Sequence, residues 1–350
     1  MSRERLRVGF LSAVRHMQPY AAALAADGRV ELVGAAEEPA AADWIRADSR
    51  AAAQVVGIPY VEDVDAFLAS ADAVVVCSEP TRHARLAERV VEAGLHVLVD
   101  KPVGVAAAEA DKLAAVAAGS RGTVSVVNRR MSPAVRRLQR WIDAGHLGLP
   151  LHVDAEWFAS GAHLATSVER PELVVDPALS GGGELLNFLL YPVDYIRQLT
   201  GLEIVEVYCE AATLFGAEHR KSGVEDCAVV SLLLERGVTA TVTLGRIPAA
   251  PGIGPVTSTV RVLGSHGHAV ADDDRPQVRR YTTEGGLRVH PIGGPSSDAI
   301  IELCLRSWVD DVLAGRAPAY GLAEARSTLA VVDAAYESCH TGQPARVEKP

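Results

Sequence analysis

Short runs rich in valine and leucine, at residues 30–35, 73–77, 96–99 and 123–127, alternate with alanine-rich stretches of helical period through the first third of the chain. Strands that are apolar at nearly every position must be covered on both faces, and helices of about a dozen residues between them supply that cover. A parallel, doubly wound α/β sheet meets both demands. Past Pro150 the texture changes to alternating apolar and polar positions, at residues 151–157, 204–211, 228–234, 239–244 and 259–263. Alternation of that kind marks antiparallel strands with one solvated face. The expected architecture is a doubly wound domain over residues 1–127, then an α+β domain with a mostly antiparallel sheet over residues 128–350, closed by a helix at 322–338. With 350 residues, 49% of them hydrophobic, the chain can fill two cores.

The formal charge of -10 argues against nucleic acid or an anionic membrane as the main partner, since both reward a basic surface. A small-molecule substrate is the expected partner. Cys77, Cys209, Cys227, Cys304 and Cys339 are scattered without a C-x-x-C pair, which suits reduced thiols rather than a disulfide framework or a zinc site. His266 and His268, on either side of Gly267, lack a third ligand, so no metal site is assigned. The first residues lead straight into a strand-like run without a signal-peptide pattern, and no segment reaches about 18 uninterrupted apolar residues. The expectation is a soluble, cytoplasmic chain.

Open α/β sheets carry their chemistry at the carboxyl ends of the strands. Lys101 stands there, after the run His96-Val97-Leu98-Val99-Asp100, and Pro102 behind it disfavours helical geometry. Lys101 is either aimed into a crevice or an ordinary solvated lysine. A dinucleotide-binding Rossmann turn reads G-x-G-x-x-G, which lets the backbone close on a pyrophosphate at a helix amino terminus. Here the turn reads Ser12-Ala13-Val14-Arg15-His16-Met17, with every glycine replaced. Val14 is the sharpest departure, because a β-branched side chain stands where the phosphates need close approach and where positive φ is at issue. The Ser12 hydroxyl and Arg15 offer compensation through hydrogen bonding and charge. The other reading is that this turn binds no anion. Glu37 follows the second strand, 25 residues after Ser12, where an acid takes the ribose hydroxyls of NAD and disfavours NADP; Glu38 beside it shows how weak one acid is as a signal.

Taken in order, Val8-Gly9, Glu37, Cys77-Ser78-Glu79-Pro80-Thr81-Arg82-His83, the block Gly94-Leu95-His96-Val97-Leu98-Val99-Asp100-Lys101-Pro102, Asn128-Arg129-Arg130 and Gly181-Gly182-Gly183 resemble the glucose-fructose oxidoreductase and inositol dehydrogenase (Gfo/Idh/MocA) family across essentially the whole chain. The resemblance implies an amino-terminal Rossmann domain and a carboxyl-terminal sheet that builds homodimers or homotetramers. It also implies NAD, with NADP second, in the oxidation of a sugar-like or cyclitol alcohol. It places Ser12, Val14, Arg15, Glu37, Ser78, Glu79, His83, Asp100 and Lys101 at the cofactor, with Lys101 also on the reacting hydroxyl. In that family an aspartate and, four residues later, a histidine or tyrosine follow the triple glycine as acid/base; the matching positions are Asn187 and Tyr191. His83 reads more readily as the organiser of its helix start than as a chemical group. Glu79 departs from the small hydroxyl residue usual before that proline, and its direction, towards a ribose or against a pyrophosphate, is not readable from sequence.

On a helix Asn187, Tyr191 and Asp194, at i, i+4 and i+7, share a face, with Pro192 as the source of a kink. The competing reading packs Leu185, Leu186, Leu189 and Leu190 into a core with Tyr191 at its edge. In the catalytic reading Tyr191 takes the hydroxyl proton, Lys101 stabilises the developing alkoxide, and Asn187 orients the substrate. Asn187 carries no charge, so it cannot tune its partner as an aspartate does. Arg129, Trp157, Asn187 and Asp194, with His163 and Arg246, are the candidate substrate contacts. Two further readings stay open: a redox-inactive family member serving as a binding or partner subunit, and a redox-neutral lyase, epimerase or hydrolase using the same pocket.

Overall fold

The computed structural model describes residues 5–161, 170–248, 255–273, 277–282, 285–292 and 297–349. The chain divides into two compact units, Met1–Asn128 with Ile301–Arg326, and Arg129–Ile300 with Ser327–Pro350.

In the first unit β1 (Leu6–Ala13), β2 (Val30–Ala36), β3 (Ala73–Cys77), β4 (His96–Val99) and β5 (Val124–Val126) form a parallel sheet in the order β2-β1-β3-β4-β5. Helices α1 (Met17–Ala25), α2 (Asp43–Val56), α3 (Val64–Ala69), α4 (His83–Glu92) and α5 (Ala107–Ala117) connect the strands. The apolar runs are strands because both faces are covered: every residue of β3 is buried, as are Val8, Phe10 and Leu11 of β1. Gly9 of β1 is fixed by packing rather than by dihedral freedom, since a Cβ there would lie 2.4 Å from the ring of Phe67 on α3. Phe67 is fully buried, which contributes roughly 2–3 kcal/mol of hydrophobic stabilisation. The chain leaves β1 towards β2 on one side, and β3 lies on the other, so the strand order reverses between β1 and β3. The switch-point crevice of an open sheet therefore lies beyond Ser12 and Cys77.

In the second unit the elements are α6 (Pro133–Asp143), β6 (Pro150–Ser160), α7 (Glu172–Val175), α8 (Pro177–Ser180), α9 (Glu184–Phe188), α10 (Leu190–Thr200), β7 (Ile204–Ala212), α11 (Ala217–Ser222), β8 (Cys227–Leu234), β9 (Thr239–Ile247), β10 (Pro255–Gly264), β11 (Gly267–Asp272), β12 (Gln277–Thr282) and β13 (Gly286–Pro291). Helices α12 (Ser297–Ala314) and α13 (Leu322–Thr341) and the short β14 (Ala345–Arg346) complete the chain. The nine-stranded sheet runs β13-β12-β11-β10-β6-β9-β8-β7-β14, antiparallel except for the parallel β6–β9 pair. Strands β11 to β13 and helix α12 lie where no element is legible from periodicity. The outer pair explains why, since β12 carries Arg279 and Arg280 and β13 is exposed along most of its length. Among the described residues no helix is long and apolar enough to cross a membrane, and the five cysteines are unbridged.

Candidate active site

Strand β4 delivers Asp100 and Lys101 to the carboxyl edge of the first sheet, where a cis Lys101–Pro102 peptide follows. Lys101 is 6% exposed, which removes the reading of a solvated strand-end lysine. Asp100 is fully buried and accepts hydrogen bonds from the Tyr20 hydroxyl at 2.8 Å and the Lys101 amide at 2.8 Å, while its second oxygen lies 2.7 Å from His16 Nδ1. Burial works against the charge, but His16 and the nearby Arg15 and His83 outweigh it and hold the carboxyl well below the usual carboxylate range. His83 begins α4 and places its ring between the carbonyls of Pro102, 2.5 Å from Nδ1, and Ser78, 2.9 Å from Nε2. Burial pushes this imidazole towards its neutral form, which carries one N–H and so donates to one of the two carbonyls at a time.

The turn after β1 differs from expectation in where its unusual backbone falls. Positive φ is found at Ser12 (61°) and His16 (58°), and not at Val14, whose side chain is buried. Ser12 thus adopts the left-handed conformation that glycine takes freely, at a cost of about 1 kcal/mol or more. The buried Arg15 joins the turn to β3 through its amide, 3.0 Å from the Cys77 carbonyl. Around Ser12 the acids gather on one guanidinium. Arg82 donates to both oxygens of Glu79 at 2.5 and 2.9 Å, to Glu37 at 2.9 Å and to Glu38 at 3.2 Å, with Ser12 Oγ at 3.4 Å. This gives Glu79 its direction, towards Arg82. Arg85 closes Glu38 with two contacts of 2.6 Å. Burial disfavours the Glu38 charge, but Arg85 and Arg82 prevail and hold its pKa below the ordinary value. The buried Ser78 donates its hydroxyl to the Glu79 carbonyl at 3.0 Å. The left-handed Ser12, the acid at the end of β2 and Arg82 stand at the switch point, the place where an open α/β sheet takes a dinucleotide.

In the second unit the triple glycine is explained by what packs on it. Gly181 ends α8 at φ 80°, a Cβ on Gly182 would lie 2.3 Å from the Tyr336 hydroxyl, and one on Gly183 would lie 2.3 Å from the Glu225 carbonyl oxygen. Glu225 then caps α9, with its carbonyl accepting from the Glu184 amide at 3.0 Å and its carboxylate from the Leu185 amide at 3.0 Å and from Tyr336 at 2.8 Å. Pro192 has no N–H for the Phe188 carbonyl, and the helix breaks there into α9 and α10. Asn187, on α9, donates to Glu184 at 2.7 Å. Glu184 is fully buried and also accepts from Arg246 Nε at 2.5 Å and lies 3.0 Å from His219 Nε2; these partners overcome burial and hold its pKa at about 2. Arg246 and His219 line a cavity of about 410 Å³ together with Phe215 and Ile247.

Tyr191, on α10, stacks on Trp157 of β6 with ring centroids 4.5 Å apart, and the Arg129 guanidinium lies 5.0 Å from the Trp157 ring and 5.7 Å from that of Tyr191. Asp273 is 3.9 Å from Arg129 and accepts from Tyr195 at 2.9 Å and from Ser132. Asp194, placed among the substrate contacts by sequence, is buried and paired with Arg130, whose Nε lies 2.8 and 3.0 Å from its two oxygens and whose Nη2 lies 2.7 Å from Oδ1. His163 lies outside the described residues.

Residues 8–128 match the family described as oxidoreductase, NAD-binding Rossmann fold, and residues 135–270 match the GFO/IDH/MocA C-terminal domain. The chain belongs to the Gfo/Idh/MocA oxidoreductases. Inositol 2-dehydrogenase of Rhizobium meliloti is 28% identical over 291 residues, 82% of each chain. The uncharacterized oxidoreductase YrbE of Bacillus subtilis is 27% identical over 215 residues, which is 61% of this chain and 58% of that relative. The crystal structure of GenD2 from gentamicin A biosynthesis in complex with NAD has the same fold, with a TM-score of 0.81 at 24% identity over 100% of this chain and 98% of that one.

Within this Gfo/Idh/MocA frame, the sequence singles out the residues that sit at strand ends and after the triple glycine. It misses the partners that hold them: Arg82 and Ser49 on Glu37, Tyr20 and His16 on Asp100, Glu184 on Asn187, and Asp273 beside Arg129. Arg82 stands inside the quoted turn, and its position three residues after Glu79 is the one local signal that pointed to a pair.

Proposed function

We propose that this chain is an NAD-dependent dehydrogenase or reductase that interconverts a sugar-like or cyclitol alcohol and its ketone. Relatives named inositol 2-dehydrogenase over most of both chains support that substrate class. The observation that carries the reading is the bracing of Lys101, whose amide is held by the buried Asp100 and whose neighbour Pro102 is held by His83. These contacts fix the backbone that carries the ammonium, and an ammonium at this strand end can stabilise negative charge on a substrate oxygen. The bound nicotinamide supplies the hydride acceptor. Tyr191 takes the hydroxyl proton, and its ring is held flat on Trp157 with a guanidinium against the stack. Asn187, oriented by Glu184, offers a neutral hydrogen bond to the substrate. Ser12, Arg15, Glu37, Ser78, Glu79 and Asp100 hold or shape the dinucleotide side.

A homodimer or homotetramer belongs to the same reading. Strand register puts Tyr208, Val229, Leu263, Leu287 and Val289 on one face of the nine-stranded sheet, and all five are exposed. The test of function is turnover of a panel of inositols and sugars followed by nicotinamide absorbance, comparing wild type with Lys101→Ala. The variant is expected to lose turnover by about 10²-fold or more while keeping its unfolding midpoint. Unchanged turnover would remove Lys101 from the mechanism, and binding of the cofactor with no turnover on any substrate would overturn the redox assignment.

A further inference from the structure

We propose that Arg129 is the group that makes Tyr191 a base, its guanidinium stabilising the phenolate that takes the hydroxyl proton of the substrate. The proposal rests on the reading of Tyr191 as the proton acceptor. In that step the hydroxyl proton passes to Tyr191 Oη, the O–H electron pair becomes the second bond of the carbonyl, and the hydride leaves the same carbon for the nicotinamide. A phenol with an ordinary pKa of about 10 is a poor base near neutrality, so the phenolate needs a cation beside it. The second unit supplies one. Arg129 is 4% exposed, and its Cζ lies 5.0 Å from the Trp157 ring and 5.7 Å from the Tyr191 ring, while the two rings are 4.5 Å apart. The three side chains thus form a compact triangle. Two unit charges about 6 Å apart in such surroundings attract strongly enough to move a pKa by about one unit or more.

Two tyrosines share this arginine, and their surroundings set them apart. Tyr195 is buried and donates its hydroxyl to Asp273 at 2.9 Å; burial and that carboxylate push its pKa well above the ordinary value, so it stays a phenol. Tyr191 is half-buried and lies flat on Trp157. Burial works against the Arg129 charge, but Tyr195, Asp273 and Tyr191 outweigh it and raise its pKa. That attraction is mutual, and it is what a Tyr191 phenolate gains from the guanidinium. Asp273 tempers Arg129 without cancelling it, because its carboxylate is 3.9 Å from Nη2, beyond hydrogen-bond reach, and is met by the hydroxyls of Tyr195, Ser132 and Ser258. The other charges on α10 and the elements packed against it are paired, turned away or of the same sign as Arg129. On α10 Asp194 is paired with Arg130 and Arg197 with Glu203, and on α9 Glu184 is taken by Arg246 and His219. On β6 His152, Asp154 and Glu156 alternate to the face opposite Trp157. On α6 Arg136, Arg137 and Arg140 are cations, and Asp143 in the last turn accepts from Gln139. Arg129 acts through Tyr191 and is therefore a positioning residue.

The experiment follows phenolate absorbance against pH for wild type, Arg129→Met, Arg129→Lys and Asp273→Asn. The curve of the same protein carrying Tyr191→Phe is subtracted from each, so the difference is the titration of Tyr191. Circular dichroism confirms that each variant is folded, and kcat and KM for the inositol or sugar turned over are measured across the same pH range. Arg129→Met is expected to move the Tyr191 midpoint, and the basic limb of the kcat profile with it, upward by about one pH unit or more, which is about a tenfold loss of kcat near neutrality. Asp273→Asn, which removes the counter-charge from the guanidinium, should move both downward, and Arg129→Lys, which keeps the cation, should recover most of the shift. A merely structural arginine would not give opposite shifts. An unmoved midpoint in Arg129→Met, or a rise in KM with the kcat profile unmoved, would overturn the proposal and leave Tyr191 as the base. Wild-type turnover by Tyr191→Phe would overturn that reading and the proposal together.

Discussion

Replacing Asp100 with asparagine keeps the shape of the side chain and removes its charge. The carboxylate accepts from Tyr20 and from the Lys101 amide at 2.8 Å each, and faces His16 Nδ1 at 2.7 Å. Asparagine has one acceptor oxygen, so it can keep Tyr20 and Lys101 but must turn an amide N–H₂ towards His16. Hydrogen bonds to a charged group contribute about 1.5–3 kcal/mol and neutral ones about 1 kcal/mol, so weakening two and replacing the third should cost the first unit roughly 2–4 kcal/mol. The pH dependence has a definite sign. The folded carboxyl is held below its unfolded value of about 3.9, so its stabilisation is present above that pH and is lost as pH falls. Urea unfolding of wild type and Asp100→Asn should therefore show a constant gap near neutrality that narrows below about pH 4. A gap under about 1 kcal/mol at neutral pH, or one that does not narrow in acid, would refute the claim that this charge braces the lysine turn.

Tyr191→Phe keeps the ring on Trp157 and removes only the hydroxyl, so the unfolding midpoint should hold while turnover of the cyclitol or sugar substrate falls by about 10²-fold or more. Equal loss of stability and turnover would instead make Tyr191 a packing residue. Glu184→Gln leaves Arg246 and His219 buried beside a neutral group, and breaking such a pair should cost about 3–5 kcal/mol at neutral pH. Because Glu184 is held at about 2 when folded, below its ordinary value of 4.5, the wild-type advantage in urea should be full through neutrality and shrink progressively as pH falls below about 4.5 towards 2.

What sequence reveals in this chain follows from how each element is covered. The first sheet was legible because its strands are buried on both faces, so composition alone marks them, as in the fully buried β3. Strands β12 and β13 were not, because their arginines and exposed positions leave no alternation to detect. Lys101 and Tyr191 stood out by position, after a strand and after a triple glycine. The pairs that hold the surrounding structure are distant in sequence: Arg82 finds Glu37 across 45 positions, Arg246 finds Glu184 across 62, and Tyr336 finds Glu225 across 111. Periodicity carries no record of such pairings, since each is made by the fold and not by the local chain.

The turn after β1 shows why a missing motif is weak evidence of a missing geometry. Glycines in that loop make a backbone path inexpensive; they do not define it. Ser12 follows the left-handed step at φ 61°, a strain of about 1 kcal/mol or more that persists only where neighbours over-determine the backbone. Here they do. The Ala13 amide donates to the Ser49 hydroxyl at 3.1 Å, the Arg15 amide donates to the Cys77 carbonyl at 3.0 Å, and Arg82 lies 3.4 Å from the Ser12 hydroxyl. Ser49 and Arg82 are also the two side chains that hold Glu37, so the contacts that support the turn without glycine are the ones that occupy that carboxylate. The turn after β1 and the side chain of Glu37 are thus held by the same two residues, Ser49 and Arg82.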